Sequence, residues 1–393
     1  MTTADRGRVL PHRRGFLGGL CSCSLLGMAA CATTPANEPP MTSGYKPAAS
    51  TDEGGLWHVM NRVEGEIKRS RHLIRDPAWD AYLRDITTRL SADFSNDMRI
   101  YLMRTPYFNA SMAPNGMMQV WTGLLLRVDN EAELAAVLGH EMGHYMQRHS
   151  LAKVRDARAR ADFATVLGLG LGAAGSLAGL AVMAGHFSFS REQEREADDI
   201  GLQLMAKAGY APMAASEVWQ QIMEEAKADP SPKNDNVMFA THPSSEERMT
   251  TLRAKAAETG VQGEPYAERY REKVRSIRFM LLEDELRLRQ YERSLVLLQR
   301  LQKETPGDGE LIYFEAEVYR LRAGQNDAKT AEETYERAVL AQNAPPQAWR
   351  SLGLIQRRDG RHEAAGQSFK KYLDLRPDAE DRAIIASYME KTS

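Results

Sequence analysis

The stretch AAVLGHEMGHYMQRHS, residues 135–150, places histidines and a glutamate inside an apolar run that would make a good buried helix without them. A helix start precedes it. Asn130 is a capping residue, and Glu133, three positions on, can reach back to close a capping box. Leu134, Val137 and Leu138 then supply the buried face. His140 and His144 are four residues apart, so their rings lie on one side of the helix a turn from each other, with Glu141 about 100° around. Two imidazoles in that relation can share a metal ion, and the carboxylate stands near the water such an ion binds.

HExxH also arises by chance, and a mononuclear catalytic zinc takes three protein ligands. A third candidate stands in EREAD, residues 194–198, which begins 50 residues past His144. Glu194, Asp198 and Gly201 recur at i, i+4 and i+7 on one helical face: a carboxylate ligand, a second acid, and a residue small enough to admit another helix. Alone, Glu194 reads better as part of a solvated charged face in REQERE, residues 191–196.

At 393 residues the chain suits two or three domains. Its 51 basic and 53 acidic residues nearly balance, so no basic surface argues for nucleic acid. Cys21, Cys23 and Cys31 are its three cysteines. Once the N-terminal segment is processed no thiolate remains for a metal, which must then rest on His, Asp and Glu.

That segment reads as an address. Arg13 and Arg14, followed by GFL, run into an apolar stretch from Phe16 to Ala30, a layout that resembles a twin-arginine export signal. MAAC, ending at Cys31, resembles a lipoprotein site, with small residues before the cysteine to be lipidated. ACA allows ordinary cleavage after Ala32, and an uncleaved anchor is a third option. The Pro, Ala and Ser-containing run that follows favours lipidation and a flexible tether, and Ala32 after the cysteine favours the outer membrane.

Leu56, Val59, Val63 and Ile67 predict helix between about Gly55 and Arg89. MRIYLMR, 98–104, and MMQVW, 117–121, read as strands joined by the turn APNG, a hairpin just before the histidine helix. Residues 163–187 carry no charge apart from the titratable His186, but many glycines. They suit a buried or hinged helical pair over the site, or membrane contact. SREQEREADDIGLQLMAKAGY predicts a helix ended by Gly209, and THPSSEERMTTL, 241–252, opens another. From about Glu272 a helical array begins. Trp349, Leu352, Gly353, Ala365, Phe369, Tyr372 and Pro377 match the tetratricopeptide pattern, and Ala331, Tyr335, Ala338 and Pro345 echo it. Ser294, Leu298, Leu301 and Pro306 do so a unit earlier. Such an array is either a packing scaffold or a concave surface for a protein partner.

Taken together, NEAELAAVLGHEMGHYMQRH, SREQEREADDIG and THPSSEERM resemble, in order and separation, the gluzincin peptidases that include the CAAX prenyl protease, HtpX and Oma-type enzymes. The resemblance spans about residues 60–255. With the signal-like start and the array, the chain looks like the periplasmic beta-barrel assembly-enhancing branch of that family. Carried over by position, the resemblance implies one zinc ion per chain, held by His140, His144 and Glu194, with Glu141 as general base. Asp198 matches an acid that donates a proton or steadies a ligand histidine. His242 and Arg248 match an HP....R segment that meets the metal or the substrate oxyanion. His149 reads as structural.

The expected fold is mainly α with a small β-sheet, a zincin-type domain followed by a tetratricopeptide-like array. The expected organisation is a signal over 1–31, a flexible linker over 32–54, a metallopeptidase domain over 55–262 and the array over 263–393. The resemblance implies a zinc endopeptidase exported to the periplasm and lipid-anchored to the outer membrane. Its substrates would be unfolded or misassembled envelope proteins, bound extended along an edge strand, for which 117–121 is the candidate. A chaperone or adaptor with a latent metal site and an integral-membrane protease resembling HtpX are the rivals.

Overall fold

The computed structural model describes residues 40–159, 189–229, Met238, His242 and 246–390. The signal segment with Cys31 and the apolar segment 163–187 lie outside these residues. Among the described residues no helix is long and apolar enough to cross a membrane.

The first half holds α1 (Asp52–Arg69), α2 (Pro77–Leu90), β1 (Arg99–Met103), β2 (Ala110–Met112), β3 (Met117–Trp121) and α3 (Thr122–Arg127). It continues through α4 (Glu131–Met146), α5 (His149–Ala159), α6 (Arg191–Ala208), α7 (Ala214–Ala228) and α8 (Glu246–Glu258). The stretch expected to be helical as far as Arg89 is two helices. Asp76 ends the link between them by capping α2, accepting from the N–H groups of Ala78 and Trp79, with Pro77 in the first turn.

The sheet corrects the expected hairpin. β1 pairs parallel to β3, and the antiparallel partner of β3 is β2, giving the order β1-β3-β2. β2 lies in FNASMAPNG, too short and polar to show a strand period. Central β3 is buried along its whole length. Met118 and Val120 face the main core with Trp79, Ile86 and Leu138, while Met117 and Trp121 face a second cluster with Leu56 and Met60 of α1 and Val154 of α5. Residues 117–121 therefore cannot be the edge that receives a peptide; both of their sides are occupied.

Residues 41–45, in the segment expected to be a tether, lie on the folded chain. Met41 is buried and donates its N–H to Met146 O at 2.6 Å, and Gly44 N–H reaches Asp97 Oδ2 at 2.8 Å.

The second half is helical throughout: α9 (Ala267–Arg275), α10 (Arg278–Leu288), α11 (Tyr291–Glu304), α12 (Gly309–Arg322), α13 (Asp327–Leu340), α14 (Pro346–Arg358), α15 (His362–Leu375) and α16 (Arg382–Glu390). Consecutive helices pack as hairpins on small residues. A Cβ added to Gly353 would sit 2.7 Å from the Phe369 ring, and Ala331, Ala338 and Ala365 are buried. Buried Arg127 ties the halves together, donating to Glu225 at 2.8 Å and Glu285 at 2.9 Å. Removing one member of such a set leaves an uncompensated buried charge, a loss of about 3–5 kcal/mol.

Candidate metal centre

The site is built where α4 and α6 cross. Asn130 caps α4, its Oδ1 accepting from Glu133 N–H. The reciprocal bond goes one residue further back than the expected box, from Asp129 N–H to Glu133 Oε2 at 2.7 Å. α6 starts on a full capping box between Ser190 and Gln193 and stops at Gly209, which has φ 77°.

Two glycines let the helices touch. A Cβ on Gly143 would lie 2.7 Å from the backbone oxygen of Ala197, and one on Gly201 would lie 3.1 Å from the backbone nitrogen of His140. Neither contact admits a side chain without movement of backbone. That approach brings the histidines of α4 onto Glu194, and it is why glycine precedes His144. Gly201 was legible as a close-approach residue; Gly143, its counterpart on α4, was not singled out.

His140, His144, Glu194 and His242 each offer one ligand atom, and these atoms lie within 4.8 Å of one another, all buried. His140 Nε2 is 3.0 Å from His144 Nε2 and 3.1 Å from His242 Nδ1. Glu194 Oε1 is 3.0 Å from His242 Nδ1 and 3.5 Å from His144 Nε2. Lone pairs that converge in this way repel unless a cation lies among them. Two imidazoles and a carboxylate from two helices are a donor set that zinc accepts.

The surrounding residues fix the donors. Asp198 Oδ1 stands 2.8 Å from His140 Nδ1, and this carboxylate–histidine contact leaves Nε2 free to coordinate. Arg248 grips Asp198 at 2.7 Å through Nε and Nη2, reaches Glu194 Oε2 at 2.7 Å through Nη1, and stacks 4.6 Å above the Trp219 ring. Glu141, the next residue on α4, stands beside the ligand group and faces the far nitrogen of His242. Its Oε1 is buried without a hydrogen-bond partner among the described residues, and His242 Nε2 lies 3.4 Å away.

Burial sets opposite demands on these groups. It raises the Glu141 carboxyl above its usual range, against the pull of His242 and His140 and of a hydrogen bond from the Met112 backbone. It pushes Glu194 the same way, but hydrogen bonds to His144 and His242 overcome it and hold that carboxyl well below the ordinary range. For Asp198 burial also pushes up, and Arg248 with His140 brings the value down to about 2. His144 is kept neutral, mainly by burial, which suits a ligand. His242 is lifted above its usual value because Glu141 and Glu194 outweigh its burial.

Three further residues complete the site and were not read as part of it. Phe189 stacks on His144 with ring centroids 3.9 Å apart, and Trp219 floors Arg248. His149, expected to be structural, lies 2.8 Å from His144 through the two Nδ1 atoms, with its Nε2 3.2 Å from Glu196. Arg148 makes this turn by adopting φ 56°, a left-handed conformation that costs about 1–2 kcal/mol for a residue with a Cβ, and an ion pair with Glu53 holds it. The five-residue spacing from His144 to His149 was the available signal.

The model for Peptidase family M48 matches residues 77–256, which include every residue named above at the metal centre apart from Glu53. The Beta-barrel assembly-enhancing protease of Escherichia coli is 24% identical over 258 residues, which cover 62% of this chain and 52% of the relative. The Mitochondrial metalloendopeptidase OMA1 of Schizosaccharomyces pombe is 35% identical over 167 residues, covering 42% of this chain and 48% of the relative. The Metalloprotease LoiP of Escherichia coli is 28% identical over 200 residues, covering 47% and 75% respectively. The chain thus spans about half the length of the beta-barrel assembly-enhancing relative it matches. Over residues 77–256 the chain carries a domain of Peptidase family M48.

Proposed function

We propose that the chain is a zinc-dependent endopeptidase that acts on misfolded or stalled proteins of the cell envelope. The observation that carries this reading is the convergence of His140, His144 and Glu194 beside the buried Oε1 of Glu141, which has no hydrogen-bond partner among the described residues. Those three residues would hold one zinc ion per chain, which would supply the Lewis acidity that makes water nucleophilic near neutral pH and polarises a peptide carbonyl.

The chain's own residues do the rest. Glu141 takes the proton of the attacking water and returns it to the leaving amine, and burial, which raises its carboxyl above the usual range, makes it a stronger base than an exposed carboxylate. Asp198 orients His140, and Arg248, engaged with both Asp198 and Glu194, holds the two carboxylates in place. The peptide adds to β2, the edge next to Glu141. Asn109 and Ala113 bond inward to β3, so the backbone groups of Ala110 and the carbonyl of Met112 point outward by antiparallel alternation, while the Met112 N–H meets Glu141. Backbone pairing there aligns a bond for cleavage with little demand on sequence.

The export-signal layout and Cys31 support a lipid-anchored, periplasmic, outer-membrane location. The hairpins from α10 onward form a tetratricopeptide-like array over 263–393 that presents a surface to a protein partner, behind a peptidase domain over 55–262. The test is digestion of casein by the full chain with and without a chelator. Cleavage that stops on chelation and returns with zinc is expected; chelator-resistant cleavage would sink the reading.

A second reading, a latent site, is favoured by one observation: His242 stands among the ligand atoms, in reach of both Glu194 and Glu141. In that position it competes with water and substrate. His242→Ala is then expected to raise casein cleavage severalfold, and an unchanged or lower rate would remove the latch.

A further inference from the structure

Beside Glu141 and His242 opens a cleft between the β2–β3 face of the sheet and the helices α1 and α5. Leu56, Met60, Met117 and Val154 make its walls apolar. Walls of that kind accept a large side chain from the substrate, and flexible methionines adapt to an aromatic ring.

The same cleft carries polar groups that apolar selection does not explain. Asn109 Oδ1, Gln119 Oε1 and Trp121 Nε1 all belong to residues lining it, each is buried, and none has a hydrogen-bond partner among the described residues. Their placement follows from the strands. Gln119 and Trp121 are two apart on β3 and share a face, and Asn109 stands opposite Trp121, whose N–H bonds to Asn109 O at 3.1 Å. Buried polar groups without partners each cost about 1–3 kcal/mol, so three around one cleft call for an explanation, and a ligand that completes them supplies one.

The chemistry of the three selects among side chains. The indole N–H only donates, while an amide offers an oxygen or an NH2 according to which way it is turned. A phenol hydroxyl donates to one amide oxygen and accepts from the indole, and its second lone pair accepts from the other amide once that amide turns its NH2 inward. Phenylalanine fills the walls and strands the polar atoms. A tryptophan donates only, an acidic side chain meets Glu141, and serine or threonine is too small for the walls.

We propose that this cleft is a specificity pocket that selects tyrosine at one position flanking the scissile bond, with Gln119 as its principal determinant. The inference rests on the peptidase reading given above, and it assigns a substrate class to that site. Segments rich in tyrosine would then be cut in preference to segments of equal hydrophobicity without it.

The test is sequencing of the termini released from denatured casein by the full chain, with Gln119→Leu beside it. Tyrosine is expected over phenylalanine by about tenfold at one fixed position, falling to about twofold in Gln119→Leu. Equal use of the two residues by the wild type would overturn the proposal without need of the variant. So would a tyrosine preference that Gln119→Leu leaves intact. A binding comparison separates this from failure of the peptidase reading. Full-length Glu141→Gln is titrated with a casein-derived peptide containing one tyrosine and with its phenylalanine counterpart, by fluorescence anisotropy. Absence of all cleavage would end the peptidase reading alone, and the ratio of the two affinities would still decide the pocket: about tenfold supports it, parity overturns it.

Discussion

Glu141→Gln cleaves casein more slowly by about two to four orders of magnitude and keeps its metal. The substitution changes almost nothing except basicity. The side chain is buried between the Met112 backbone N–H and His242, and an amide of the same shape can still accept the first of these. It cannot take a proton from water. The residue does not belong to the group whose ligand atoms converge, so metal content is untouched. Initial rates together with elemental analysis of the same preparation check both halves. A variant that lost metal as well as activity would show Glu141 to be part of the metal's support, and one that kept its rate would move the base elsewhere.

The second large effect comes from a residue that touches neither substrate nor metal. By helix propensity alone Gly143→Ala would stabilise α4 by about 1 kcal/mol. The crossing with α6 reverses the sign. A methyl group there meets the Ala197 backbone oxygen at 2.7 Å, and backbone on both sides cannot yield as a flexible side chain could. Overpacking of this kind costs about 1–3 kcal/mol. The forced separation carries Glu194 away from His140 and His144, so metal affinity falls by at least about tenfold. Urea denaturation and a zinc titration of the variant measure the two effects. Stabilisation with unchanged zinc affinity would mean that the crossing is looser than its geometry requires.

Much of this site was legible because its parts are periodic. His140, His144 and the Asn130 cap follow from helical spacing, whereas Glu194, Asp198 and Gly201 share one face of a second helix but stand out from a charged surface only through the family resemblance. What spacing cannot give is the meeting of distant segments. Trp219 and Phe189 approach the centre through tertiary packing alone, and His149 does so through an unfavourable turn at Arg148. The sheet was misread for a related reason. An alternating pattern identifies 99–103 and 117–121 as strands without stating their partners, and β2 is too short to carry a pattern at all. With β2 unseen, the adjacent strands looked like a hairpin, and the central strand was taken for the edge. The tether expected from proline and alanine content fails in part because Met41 finds a place in the core.

The most direct test is the metal content of the full chain, purified without added metal and compared with Glu194→Ala. One zinc per wild-type chain, absent or nearly so from the variant, is the predicted result. A wild type that binds no zinc when supplied with it, or a variant that retains a full equivalent, would contradict the assignment of His140, His144 and Glu194 as the centre of the site.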